Sequence, residues 1–375
     1  MKKTIIIAGA SCGWGHMQAA HNINKAVSCL RQDWHVETIN IHEYLPRSLR
    51  FALNNGWRFA SSHLDGLYEE FYRYSVTNVN TKHLVGRLVR TSSQRVFENF
   101  RDHDIGVFIA THSIAASVGS LLKSRFQYKL CVAATDFVLH SMQIFPNVDF
   151  FYLPPMYRQV MDMTSTSENI EKKAQHTGIP IAPEFALHKD KETLRRRFGL
   201  STDLSTILVS FGGTGLRAEK HIELFGNLLD LGLPLQFIVL AGQNHRFATA
   251  MRERYGNNKY RDRFKIYNYL DDVSDFYGVA DLFIGKAGGL TISEALAAGL
   301  PIIIVDALPG QETFNVEVIS SNKLGCYVSN LKDLVSEIKD FLYQGMTSSL
   351  EKNMDKFARP HSSMNVARHI AGLAV

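Results

Sequence analysis

The stretch Asp281–Asn315, DLFIGKAGGLTISEALAAGLPIIIVDALPGQETFN, decides the fold. It reads as strand, small loop, helix, strand. Asp281–Gly285 is a short apolar strand, and Lys286-Ala287-Gly288-Gly289 is a loop too small to cover anything placed on it. The spacing Thr291-Ile292-Ser293-Glu294 fits a capping box and predicts a helix over Thr291–Ala298. Gly299 supplies a left-handed stop and Pro301 prevents restart. Pro301–Val305 is then a second buried strand, followed by a polar tail, Pro309-Gly310-Gln311-Glu312 with Asn315. A Gly-Gly loop entering a helix points unpaired backbone N–H groups outward, with the positive end of the helix dipole behind them. That arrangement accepts a phosphate, and Lys286 adds a mobile positive charge. Glu294 either closes the capping box or offers its carboxylate to sugar hydroxyls; the spacing leaves both open.

Upstream of this stretch the same winding recurs. Thr206–Ser210 is a strand entering Phe211-Gly212-Gly213-Thr214-Gly215, a second turn suited to cradle an anion. His221–Leu231 is helical, Gln236–Leu240 is a strand, and Phe264–Tyr267 is a strand ending in Asn268-Tyr269-Leu270. Leu331–Phe341 and Met354–Ala374 read as closing helices.

The N-terminal half opens with a strand, Lys3–Ala10, the turn Ser11-Cys12-Gly13-Trp14-Gly15-His16, an amphipathic helix Met17–Leu30 and a strand Val36–Ile41. This is the start of a doubly wound α/β domain. The turn lacks GxGxxG, which weighs against a dinucleotide cofactor. His16 lies on the carboxyl side of the first strand, where such folds bind ligands, and an imidazole titrates near neutrality. Ile105–Ala110 ends in Thr111-His112-Ser113, and Tyr128–Ala134 ends in Thr135-Asp136-Phe137. His112 and Asp136 therefore fall on the same side as His16.

A chain of 375 residues, 45% hydrophobic and 21% charged, is long enough for two ordinary soluble domains. Its four cysteines, Cys12, Cys29, Cys131 and Cys326, form no CxxC pair, so a zinc site or disulfide framework is not expected and a reducing cytoplasm is. Met1-Lys2-Lys3 runs straight into the first strand, unlike a signal peptide, and no stretch approaches the roughly 20 apolar residues that span a bilayer. The net charge of +5 sits in the first half: residues 1–160 carry 17 Lys/Arg against 11 Asp/Glu. Within it, residues 44–100 interleave basic and aromatic residues, among them Arg50, Phe51, Trp57, Arg58, Phe59, Tyr68, Phe71, Tyr72, Arg73, Tyr74, Lys82, Arg87 and Arg90. Such a surface suits anionic lipid headgroups. Nucleic acid is not expected, since no RNP, KH, zinc-finger or basic-helix motif is present.

Taken together these residues resemble glycosyltransferase family 28, in the branch that makes membrane glycolipids: monogalactosyldiacylglycerol synthases and processive diacylglycerol glucosyltransferases. The matching motifs are Gly13-Trp14-Gly15-His16, Thr111-His112, Thr135-Asp136-Phe137, Gly178-Ile179-Pro180, Ser210–Gly215, Lys286–Ala295 and Pro309–Glu312 with Asn315. The resemblance implies a GT-B fold, an α/β architecture of two Rossmann-like doubly wound domains facing across a cleft. The expected divisions are residues 1–180 for the acceptor with the insert at 44–100, 181–353 for a UDP-sugar, and 354–375 as a helix packing back on the first domain.

It also implies roles. Glu294 would hold the ribose hydroxyls. Gly212, Gly213, Thr214, Gly215, Gly288, Gly289, Leu290 and Thr291 would face the diphosphate beside Lys286. Gln311, Glu312 and Asn315 would hold the donor sugar, and backbone at Asn268, Tyr269 and Leu270 the base. His16 would be the catalytic base, with Asp136 as a second candidate or as its partner, and Gly15 and His112 would meet the acceptor. The expected reaction is an inverting hexose transfer from a UDP-sugar to diacylglycerol or a glycosyl-diacylglycerol, at the cytoplasmic face of a membrane, with no metal and no cofactor. Two alternatives share the donor half: a transferase acting on a polyprenyl-linked cell-wall intermediate or a soluble small molecule, and a non-catalytic nucleotide-sugar-binding subunit of a membrane complex.

Overall fold

The computed structural model describes residues 3–11, 14–51, 66, 70, 80–159 and 164–373, without the side chains of 80–88, 158–159, 164–167 and 311. The chain divides into two compact units, one of Met1–Pro183, Pro309–Phe314 and His361–Val375, the other of Glu184–Leu308 and Asn315–Pro360.

The first unit runs β1 (Thr4–Gly9), α1 (Gly15–Leu30), β2 (His35–Asn40), α2 (Asn80–Phe100), β3 (Ile105–Ala110), α3 (Ser113–Leu122), β4 (Lys129–Ala133), β5 (Val138–Leu139), β6 (Phe150–Tyr152), β7 (Arg158–Gln159), α4 (Thr164–Glu171) and β8 (Ala174–Gln175). Its parallel sheet has the order β2-β1-β3-β4-β6-β8, with β5 and β7 pairing separately. Both faces of β1 are covered. Ile5 and Ile7 cluster with Ile23, Ala26 and Val27 of α1. Ile6 and Ala8 cluster with Val96 and Phe100 of α2 and Val118 of α3. A strand buried on both sides needs a continuous apolar run, and Thr4–Gly9 supplies one.

The second unit runs α5 (Lys191–Phe198), β9 (Ser205–Ser210), α6 (Ile222–Asp230), β10 (Leu235–Leu240), α7 (His245–Tyr255), β11 (Phe264–Tyr267), α8 (Ser274–Val279), β12 (Leu282–Lys286), α9 (Gly289–Ala297), β13 (Ile302–Asp306), α10 (Gln311–Ser321, counted with this unit from Asn315 on), β14 (Gly325–Tyr327), α11 (Leu331–Gln344) and α12 (Ser348–Phe357). Its sheet is also parallel, in the order β11-β10-β9-β12-β13-β14. In the first sheet β1 lies between β2 and β3; in the second, β9 lies between β10 and β12. The winding reverses at these strands, so the loops leaving β1 and β3, and β9 and β12, flank the crevice where an open α/β sheet takes its ligand.

Two sequence expectations are corrected, and one stretch read only as polar gains a structure. The helix in the opening stretch begins at Gly289, two residues before Thr291, with Gly288 as an N-cap that makes no side-chain bond. The capping box is therefore not formed. The polar tail after Pro309-Gly310 is helical: Gln311 opens a helix that runs to Ser321. Met354–Ala374 is not one helix. It breaks after Phe357, and α13 (Ser362–Gly372) follows. Pro360 is the cause, because the residue before a proline is driven out of the helical region. Val366, Ala367 and Ile370 of α13 pack with Ile23 and Val27 of α1.

Of the basic aromatic insert, Trp57, Arg58, Phe59, Tyr68 and Phe71–Tyr74 lie outside the described residues. Phe51, at its start, is 70% exposed. Among the described residues no helix is long and apolar enough to cross a membrane.

Candidate active site

In the first unit the loops after β1, β3 and β4 bring together His16, Thr111, His112, Thr135 and Asp136. The Nδ1 of His16 lies 2.8 Å from the carbonyl oxygen of Thr111 and 3.0 Å from the Thr135 hydroxyl. Thr111 in turn donates its hydroxyl to the His16 carbonyl at 2.8 Å, which locks the first turn of α1 against the end of β3. Thr135 lies 3.3 Å from a carboxylate oxygen of Asp136. Burial lowers the His16 pKa below the ordinary imidazole value, against the raising effects of the Asp136 carboxylate and the Thr111 hydrogen bond. The ring is therefore neutral at pH 7, the form a proton acceptor needs.

His112 sits edge-on to His16, with ring centroids 4.6 Å apart. Its Nδ1 accepts from the Ile114 N–H at 3.2 Å, capping α3. Burial, then the charges His16, His42 and His140 would carry, hold it well below the usual imidazole range. His112 thus stays neutral beside His16. Gly15 is the first residue of α1 and brings the His16 backbone to the end of β1.

The loops after β9, β11 and β12 of the second unit carry most of the other candidates, while Gln311 and Glu312 fall in the Pro309–Phe314 segment counted with the first unit. Gly212 adopts a left-handed φ of 76°, and a Cβ there would lie 2.9 Å from Cε of Lys286. Lys286 therefore reaches back from the end of β12 across the turn after β9, with Thr291 beside it. No acidic residue occupies the first turn of α9, and no side chain caps it. The N–H groups of Gly289, Leu290 and Thr291 thus share one corner with Lys286 and Gly212, as an anion requires. In the same turn, the Gly215 N–H donates to the Gly212 carbonyl at 3.0 Å, and the Gly213 carbonyl accepts from Gln243 at 2.8 Å. Thr214 stands between them, half-buried.

Glu294 is one turn into α9 and is hydrogen-bonded by the Tyr277 hydroxyl. Burial pushes its carboxyl up to about 7; the Tyr277 hydrogen bond opposes the rise and Asp272 adds to it. Asn315 is fully buried and donates its amide to the Ala287 carbonyl at 2.9 Å, tying α10 to the Lys286–Gly289 loop. Glu312 is buried in the first turn of α10. Asn268 and Leu270 are exposed beyond β11, with Tyr269 half-buried between them.

Some residues at these sites were not singled out by sequence. Thr135 links Asp136 to His16, yet its motif drew attention to the carboxylate alone. Tyr277 lies on the short α8, whose six residues carry too little periodicity to be read. Asp306, at the end of β13, pairs with Arg217 at 3.4 Å and His221 at 3.7 Å, and His221 stacks on Phe211 at 4.9 Å. Burial raises the Asp306 carboxyl, but the His221 hydrogen bond and the Arg217 charge outweigh it and hold the group below its ordinary value. Through the His221 ring on Phe211, this cluster adjoins the Gly-rich turn.

Two six-stranded parallel units of this topology make up the GT-B fold. The fold matches Acinetobacter baumannii MurG with a TM-score of 0.61 at 14% identity, over 99% of this chain and 100% of that one. It matches spinosyn rhamnosyltransferase SpnG, complexed with thymidine diphosphate, with a TM-score of 0.62 at 10% identity, over 99% and 100%.

Residues 16–181 match the monogalactosyldiacylglycerol (MGDG) synthase family, and residues 207–369 match the glycosyltransferase family 28 C-terminal domain. The chain thus carries an MGDG synthase domain followed by a glycosyltransferase family 28 C-terminal domain. It is similar to the processive diacylglycerol beta-glucosyltransferase of Bacillus pumilus, 24% identical over 98% of this chain and 94% of that protein.

Proposed function

We propose that this glycosyltransferase moves a hexose from a UDP-sugar to diacylglycerol or a glycosyl-diacylglycerol, with inversion at the anomeric carbon and without a metal. The observation that carries the donor half is the corner formed by Gly212, Lys286 and the uncapped start of α9, with Glu294 released from any capping role. The relatives' acceptor, and the basic residues of the first half, support a lipid acceptor at an anionic membrane surface on the cytoplasmic side.

The reaction is one displacement. Nε2 of His16 takes the proton of the acceptor hydroxyl as that oxygen bonds to the anomeric carbon. The bond from that carbon to the diphosphate oxygen breaks on the opposite face, and its electron pair leaves with UDP. The N–H groups of Gly289–Thr291 and the Lys286 ammonium meet the charge that develops on the diphosphate. Glu294 holds the ribose, Gln311 and Glu312 the sugar, and backbone at Asn268–Leu270 the base.

Incubation with a panel of labelled UDP-sugars and diacylglycerol in anionic vesicles tests the reading. The expected result is one labelled, organic-soluble product of inverted anomeric configuration, formed equally well in the presence of EDTA. Label confined to the aqueous phase with every sugar overturns the lipid acceptor. Loss of turnover in EDTA overturns metal independence.

A further inference from the structure

We propose that Tyr277 is a positioning residue for the donor: its hydroxyl aims the Glu294 carboxylate that receives the ribose. This rests on the reading of Glu294 as the ribose-holding group and adds a residue that acts only through it.

Tyr277 is 1% exposed, too deep to meet a ligand itself. Its ring is held on two sides. It lies edge-on to Phe185, with centroids 5.3 Å apart and planes at 73°, and it stacks on Phe283 at 6.0 Å and 11°. Phe283 belongs to β12, the strand that delivers Lys286, so one rigid stack sets both the strand and the phenol. From that fixed ring the hydroxyl reaches Glu294 on α9.

A carboxylate has about four acceptor sites, so one bond from Tyr277 leaves room for two ribose hydroxyls. Burial and the Glu294 charge raise the Tyr277 pKa well above its ordinary value, so the phenol is neutral and can only donate to the carboxylate. The groups with a resolved influence on Glu294 are Tyr277, which favours its charged form, and Asp272, which disfavours it. Without the phenol, burial and Asp272 act unopposed and push the Glu294 carboxyl further up, and its protonated form competes poorly for two hydroxyl donors.

The test is titration of UDP into full-length wild type, Tyr277→Phe and Glu294→Gln by calorimetry, from about pH 5.5 to about pH 8.5, with thermal midpoints measured alongside. For Tyr277→Phe we expect UDP affinity to fall about fivefold at neutral pH, the worth of one such hydrogen bond. We also expect the acidic limb of the affinity profile to move to higher pH. A limb and an affinity both unmoved overturn the proposal. A lowered thermal midpoint with an unmoved limb also overturns it, since the hydroxyl then serves the fold alone. Glu294→Gln separates this from the parent reading. If it leaves UDP affinity intact, the ribose role fails and the proposal with it. If it weakens UDP while Tyr277→Phe changes nothing, only the Tyr277 inference fails.

Discussion

The Nδ1 of His16 lies 2.8 Å from the Thr111 carbonyl oxygen, an atom that can only accept a hydrogen bond. Nδ1 therefore carries the ring proton, and the lone pair sits on Nε2. The same N–H is shared with the Thr135 oxygen at 3.0 Å, which leaves the Thr135 hydroxyl proton for Asp136. Two neighbouring strand ends thus set the tautomer before any substrate arrives. His16→Ala should lower kcat at least about a hundredfold while UDP affinity stays near wild type. Calorimetry with UDP on the variant checks the second half; a matching loss of UDP affinity would make His16 structural.

In the proposed reaction Thr135 is the link through which Asp136 steadies the imidazolium formed during transfer. Thr135→Val removes the hydroxyl at nearly constant volume, and turnover should fall about tenfold, the worth of one hydrogen bond to a charged group. Asp136→Asn should cost a similar factor, and the double variant little more than either alone, because both cut the same chain. Additive losses from a kinetic double-mutant cycle would show that Asp136 acts by another route.

The roles proposed for Glu294 and His16 predict two separable pH limbs. Glu294 must be ionised to accept the ribose hydroxyls, and its carboxyl is pushed up to about 7. Below that value donor binding must first expel a proton, so kcat/KM for the donor falls as pH drops and is full above it. His16 must be neutral, and its pKa is lowered from 6.5. The acidic limb of kcat at saturating donor should therefore lie below 6.5, on the acid side of the donor limb. Initial rates across pH at low and saturating donor resolve the two; coincident limbs would mean that one group controls both.

The architecture was legible because β1, β9 and β13 are continuous apolar runs and the chemistry lies in the turns they enter. The site was legible where a residue's own turn announced it, as at His16, Lys286 and Gly212. Partners reached through space were not. Thr111 meets His16 across 95 positions of chain, and nothing local to either marks the pair. Glu294 misled locally: Thr291-Ile292-Ser293-Glu294 fits a capping box, yet the adjoining glycines let the helix begin at Gly289 and freed the carboxylate for Tyr277. Short edge strands such as Ala174–Gln175 and Gly325–Tyr327 are carried by pairing with neighbours, which two or three residues of sequence do not express.

Gly212 offers the sharpest test of the diphosphate corner, because the chain supplies its own control. Gly212 has a φ of 76° and Gly232 a φ of 73°, so alanine at either incurs the same left-handed strain, roughly 1 kcal/mol. They differ in surroundings. A Cβ at Gly232 meets nothing within 4 Å, whereas one at Gly212 comes within 2.9 Å of the Lys286 side chain. Lys286 can swing away, but only by leaving the position from which it faces the start of α9. Gly212→Ala and Gly232→Ala should therefore lower the thermal midpoint by similar small amounts. Only Gly212→Ala should also weaken UDP binding, by about tenfold for one displaced charge-assisted hydrogen bond. Equal UDP affinity in the two variants would remove Lys286 from the donor site and leave the uncapped helix to hold the diphosphate without it.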